Sequence, residues 1–405
     1  MVPIPVPTYD EGVRLLKEAK RYWDARGLAN AQEEIKSVQK SLLNPSLYEF
    51  LKRKYSDETI LERCGEIYPV AAYPAPDSQQ GDPDSVLRRL TPRFPDDRDL
   101  TPKDGKYREL IARSGRPLAD RITFTMKNLW VEAGDKLGLD CELGSYFRAL
   151  DTCDSLEWEI LGEIKSHEVS GDFDQRLQLR RETHEKVKNP LRSGLFRSAS
   201  IGISTLIVYR DEDTFQLWIR KRSGTHVAIQ PNLISVIPSF TFQPATHFFE
   251  KEFSVIHNIF REYLEEIFSR PEPGEGEVDW RYFYSDSRLQ YLFHLMESGE
   301  AKLYLSGVVV NLLTLRPEIC TVLLIRSSEW YPHHAWASEA GRFRLNLEWD
   351  TGVEATEDLG TLVACVPFAA TDRELMGQAP LSASQMSPPS AATFWLGVDL
   401  LRKLL

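Results

Sequence analysis

Apolar and polar positions change period several times along the chain, and each change marks an element. From Thr8, a suitable N-cap, to about Ile67, "DEGVRLLKEAKRYWDARG", "AQEEIKSVQKSLL", "SLYEFLKRKY" and "DETILERCGEI" keep a helical spacing. That spacing predicts a helical N-terminal region over residues 1–68. Pro69, Pro74, Pro76, Pro83, Pro92, Pro95 and Pro102 then fall among Asp, Ser and Gln. Such a run suits neither a helix interior nor a central strand, so residues 69–105 are expected to be an extended linker. Residues 106–405 form the remaining domain.

In "RITFTMKNLWVEAGDKLGLDCEL" two strand-like runs flank the turn residues Ala133, Gly134 and Asp135, predicting a hairpin. Residues 144–166 place Tyr146, Leu150, Cys153, Leu156 and Ile160 on one stripe of a buried helix. Further strands are expected at "SIGISTLIVY", "FQLWIRKRS", "NLISVIPSF", "LYLSGVVVNLL", "EICTVLLI", "RFRLNLEW" and "TLVACVPF", with "AATFWLGVDLLRKLL" as a closing amphipathic helix. Residues 271–300 begin "PEPGEGEVDW" and look like an insertion. Because strands and helices do not alternate strictly, an α+β architecture is expected over a doubly wound parallel sheet.

Residues 249–268 carry the most regular helical pattern. Phe249, Phe253, Ile256, Phe260, Tyr263 and Ile267 form a stripe that must face the core, and at about 100° per residue Glu262, Glu265 and Glu266 fall opposite it. Three carboxylates on one face repel one another by a few tenths of a kcal/mol per pair. They form either a solvated face or an oxygen-ligand set for a hard cation.

Composition narrows the classes. The chain has 405 residues, 42% hydrophobic, with 9 Trp, 15 Tyr and 19 Phe, which is enough for a sizeable core. A net charge of -11 argues against broad binding to nucleic-acid backbone. Five scattered cysteines without a CxxC pair fit reduced thiols. The sequence shows neither a secretory signal at "MVPIPVPTYDEG" nor an eighteen-residue apolar span, so a cytoplasmic location without membrane contact is expected. Arg176, Arg180, Arg181, Lys186, Lys188, Arg192 and Arg197 crowd one segment, read as a solvated helix face or as a site for a phosphate-bearing ligand. GxSxG, GxxxxGK followed by Ser or Thr, GxGxxG and HExxH motifs are missing, and His333 with His334 lacks a second ligand cluster.

Arg261, Glu262, Tyr263, Glu265 and Glu266 spell R-E-U-x-E-E, which resembles the core of the Nudix box. "GISTLIVYRDEDTFQLWIRKRS" resembles the opening hairpin of that fold and "PNLISVIPS" the strand before the box, so the resemblance covers roughly residues 199–330. The full box has Gly, Glu and Gly where this chain has His247, Phe253 and Phe268. The resemblance implies a Nudix-like mixed β-sheet flanked by helices and hydrolysis of a nucleoside-diphosphate-linked compound with Mg²⁺ or Mn²⁺. Glu262, Glu265 and Glu266 would hold the metal, with Glu265 and Arg261 catalytic. Arg220 and Arg222 would contact phosphate, or else simply guard a strand end. The alternatives are a catalytically inactive Nudix-fold sensor of a nucleotide-type small molecule and a protein-interaction module. The resemblance also allows a homodimer, and the N-terminal helices could receive a protein partner.

Overall fold

The computed structural model describes residues 25–94, 106–115, 118–132, 136–169, 171–223, 232–271, 279–337, 341–345 and 364–405. Helices α1 (Ala25–Gln39) and α2 (Pro45–Lys54) open it, the second capped by Asn44, whose side chain accepts from the Ser46 amide at 3.0 Å. Residues 1–24, expected to be helical, lie outside the described residues.

The end of the expected helical region is instead a hairpin. Strands β1 (Ile60–Arg63) and β2 (Glu66–Pro74) meet at Cys64 and Gly65, which take φ of 51° and 85°. The backbone reverses there more readily at Gly than elsewhere, and "DETILERCGEI" cannot continue as a helix. β2 runs into the stretch expected to be linker. Its prolines sit at breaks in the ladders: Pro69 falls in the irregular stretch between the β1 pairs of Ile67 and Ala71 and just before Val70, the first residue paired with residues 301–311 on the other side, and Pro74 is the last of those. β3 (Leu87–Thr91) also comes from this stretch, whereas residues 95–105 lie outside the described residues.

After α3 (Lys106–Arg113), the expected hairpin forms as β4 (Ile122–Glu132) and β5 (Lys136–Ser145) in antiparallel register from Ile122↔Ser145 to Glu132↔Lys136. Its turn, residues 133–135, lies outside the described residues. β3 joins β5 to complete a three-stranded sheet. The stripe residues Leu150, Cys153, Leu156 and Ile160 are fully buried on the helical segment that ends in α4 (Ser155–Ser166).

Within the basic segment, α5 (Gln178–Lys186) exposes Arg181 and Lys186 but buries Arg180 completely, and Arg197 is 1% exposed. This corrects the reading of a uniformly solvated face. Arg180 donates to the carbonyl of Leu312 at 2.8 Å and to that of Leu313, while Arg197 donates to Leu315, Pro190 and Ser193 carbonyls at 2.9, 2.6 and 2.7 Å. The two guanidiniums clasp residues 312–315, a turn whose carbonyls have lost water.

The remaining elements are β6 (Gly202–Asp211), β7 (Thr214–Lys221), β8 (Ile234–Val236), β9 (Ser239–Thr241), α6 (Val255–Phe268), α7 (Ser287–Glu297), β10 (Ala301–Asn311), β11 (Pro317–Ile325), α8 (Trp330–Ala335), β12 (Ala364–Pro367), α9 (Asp372–Gln378) and α10 (Pro388–Leu404). The main sheet runs β1-β2-β10-β11-β6-β7-β12, with β8 on β7 and β9 on β6. β11 and β6 are parallel and the other pairs antiparallel, so the sheet is mixed. Helices flank it. α10 covers one face, where a Cβ on Gly397 would lie 2.8 Å from Leu206. Tyr209, of opposite parity on β6, meets Trp330 and Tyr331 of α8 on the other face. The architecture is therefore α+β, a mixed sheet between helical layers. The expected insertion is packed in: Phe283, Leu289 and Leu292 are fully buried, and Phe293 meets Phe260 of α6 edge-on at 5.0 Å. Among the described residues, no helix is long and apolar enough to cross a membrane.

Candidate functional site

The helix expected over residues 249–268 is two pieces. A single turn, Phe249–Glu252, stops at Phe253, and α6 restarts at Ser254, whose side chain accepts from the His257 amide at 3.1 Å. Asp84, half-buried, reaches across to accept from the Val255 and Ile256 amides at 2.5 and 3.2 Å. Burial pushes its carboxyl pKa up, against the lowering effect of these bonds. The break follows from Glu252, whose carboxylate turns back to accept from Ala245 and Thr246 amides at 2.7 and 3.0 Å.

The face opposite the apolar stripe is not solvated. Arg261, Glu262 and Glu266 are 2%, 5% and 1% exposed, because residues 239–243 lie over them. Arg261 pairs with Glu262 at 2.7 Å and lies 3.8 Å from Glu265, and it also donates to Asn258 and to the Gln243 carbonyl. Both Glu266 oxygens accept from the Ser239 amide, at 3.1 and 3.2 Å. Glu265 alone of the three keeps a quarter of its side chain exposed. Among the described residues no group of three His, Cys, Asp or Glu side chains is placed to hold a metal ion. One oxygen of Glu262 and both oxygens of Glu266 meet protein donors.

Ser239 is a junction. Its hydroxyl lies 2.9 Å from that of Ser204, which donates to Glu318 at 2.5 Å, and its carbonyl accepts from Arg222 at 3.4 Å. Glu318 has its pKa raised to about 7 by burial, partly offset by the Ser204 bond and by the charges of Arg316 and Arg222. A side chain on Gly202 would strike this carboxyl, since its Cβ would stand 1.9 Å from Oε2. Sequence reasoning passed over Glu318. Its signal was an acid opening the apolar run "EICTVLLI".

Arg220 departs most from the strand-guard reading. It is 2% exposed, and none of its three guanidinium nitrogens has a hydrogen-bond partner among the described residues. It lies two residues after Trp218 on the same face of β7, and the Trp218 ring meets Tyr209, Trp330 and Phe343. Cys365 lies opposite Trp218 on β12 and 3.2 Å from the Tyr209 hydroxyl, and Tyr331 stacks on Tyr209 at 4.9 Å. Burial lowers the Arg220 pKa to about 10, while Cys365 and Tyr331 act in the opposite direction. The structure thus brings Arg261, Glu262 and Glu265 together and ties Glu266 and Arg222 to Ser239. Arg220 stands apart in an aromatic layer. His334 is buried against Phe268 and Phe343, and His333 stacks on Tyr291, so the two histidines serve packing.

Neither protein-family models nor curated proteins give a match to this chain.

Proposed function

We propose that the chain is a Nudix-like binding module for a nucleotide-type small molecule, in which the acids of the box have become structural and hydrolysis is lost. The fold reading is supported by the β6–β7 hairpin leading through β8 and β9 to α6, followed by β10 and by β11 parallel to β6. One observation carries the loss of catalysis: both Glu266 oxygens are fixed on the Ser239 amide. A carboxylate spent on a backbone donor holds the preceding loop against α6, and releasing it to a cation would orphan a buried N–H at a cost of about 1–3 kcal/mol. His247, Phe253 and Phe268, where the full box has Gly, Glu and Gly, run in the same direction.

The test is incubation with ADP-ribose, NAD, dinucleoside polyphosphates and nucleotide sugars in Mg²⁺ or Mn²⁺, using wild type, Glu265→Gln and Glu266→Gln. Saturable thermal stabilisation by one of these compounds without turnover is the expected result, since a ligand that binds only the folded state raises its melting temperature. Metal-dependent turnover that disappears in both variants would establish the hydrolase instead. Arg261 would then orient Glu262 and Glu265 for the metal.

A further inference from the structure

A guanidinium is costly to bury without an acceptor, because it gives up its hydration and keeps its charge. Other arginines in this chain meet that cost visibly: the buried Arg180 and Arg197 on carbonyls, the buried Arg261 on Glu262, and the partly buried Arg316 on Asp154 at 3.3 Å. Arg220 is the exception among these five: at 2% exposure, its Nε, Nη1 and Nη2 have no hydrogen-bond partner among the described residues. Nothing in packing demands a charge at this position, since Trp218, two residues earlier on the same strand face, shows that a large apolar side chain fits the layer.

We propose that Arg220 is the receptor for a ligand's oxyanion, a carboxylate or a phosphate group, bound within the layer formed by Trp218, Tyr209, Tyr331 and Cys365. The planar fork of a guanidinium matches two oxygens of such a group, which a point charge does not. Cys365 and Tyr331 are the polar side chains whose charges bear on the guanidinium, and they are linked through Tyr209, whose hydroxyl lies 3.2 Å from the Cys365 thiol and whose ring stacks on that of Tyr331. The site is separate from the acids of α6: among the described residues no ion pair joins Arg220 to Glu262, Glu265 or Glu266.

The proposal is independent of the loss of hydrolysis. A turnover assay that restored the hydrolase would leave the anion site standing, and a failed anion titration would leave the turnover result unchanged.

The experiment titrates sodium phosphate and sodium acetate, at constant ionic strength in a chloride buffer, into wild type, Arg220→Met and Arg220→Lys, reading melting temperature and calorimetric affinity. Without added anion, Arg220→Met is expected to melt at or above the wild-type temperature, because a group with no partner has been removed. One anion raises the wild-type melting temperature saturably, leaves Arg220→Met unmoved, and binds Arg220→Lys about tenfold or more weakly. Response to phosphate alone identifies a phosphoryl ligand, and response to acetate alone a carboxylate. Should Arg220→Met fail to fold, the wild-type and Arg220→Lys comparison carries the test. Equal responses in wild type and variants, or no wild-type response to either anion, overturn the proposal.

Discussion

Replacing Glu318 by Gln should make the chain's stability less dependent on pH, with a sign opposite to that of an ordinary salt-bridged acid. Its carboxyl pKa rises from 4.5 to about 7 on folding, so the native state holds the proton more tightly than the unfolded chain. Between those two values the native state carries more protons than the unfolded one, and stability falls as pH rises. Below about 4.5 both states are protonated and the group contributes no slope. Above about 7 both are ionised and the loss is complete. The difference of about 2.5 units, at about 1.4 kcal/mol per unit, sets a ceiling of about 3–4 kcal/mol. Solvent reaching part of the carboxyl reduces it. Gln keeps an acceptor oxygen for the Ser204 hydroxyl and has no charge to bury. Urea unfolding of wild type and Glu318→Gln at intervals from pH 4.5 to 8 measures the difference directly, and other titrating groups cancel in the comparison. The two proteins should be nearly equal at the acid end, with the Gln variant ahead at pH 8. Parallel curves, or a wild type that gains on the variant with rising pH, would refute the account of Glu318 as a carboxyl destabilised by burial.

Arg180→Met should lower stability by about 2–4 kcal/mol, because the carbonyls of Leu312 and Leu313 lose their donor in a place water does not reach; urea unfolding reads this, and a loss under about 0.5 kcal/mol would show the clasp to be dispensable. Asp84→Ala should cost about 1–2 kcal/mol by uncapping α6. Hydrogen exchange should quicken at the Val255 and Ile256 amides, and unchanged protection there would contradict the role given to Asp84.

Short-range periodicity fixes many of the elements without reference to any tertiary contact. The β4–β5 and β6–β7 hairpins follow from alternation and turn residues, the buried stripe of Leu150, Cys153, Leu156 and Ile160 from helical spacing, and α10 from its apolar face. These patterns describe what one element must bury, and any compact fold has to honour them. The prolines of β2 misled because their effect depends on where the ladder starts and stops, which the partner strands decide.

The candidate site divides along the same line. The sequence placed Arg261, Glu262, Glu265 and Glu266 within reach of one another, since helical geometry is local. Whether that face met water was settled by residues 239–243, which cover it and take Glu266 as an acceptor. Likewise β-alternation put Arg220 on the face of Trp218, but its isolation arises from α8 and β12, more than a hundred residues further along the chain. Periodicity names the first face that an element buries. Burial of the second face, and with it the difference between a solvated charge and a confined one, depends on what distant parts of the chain bring against it.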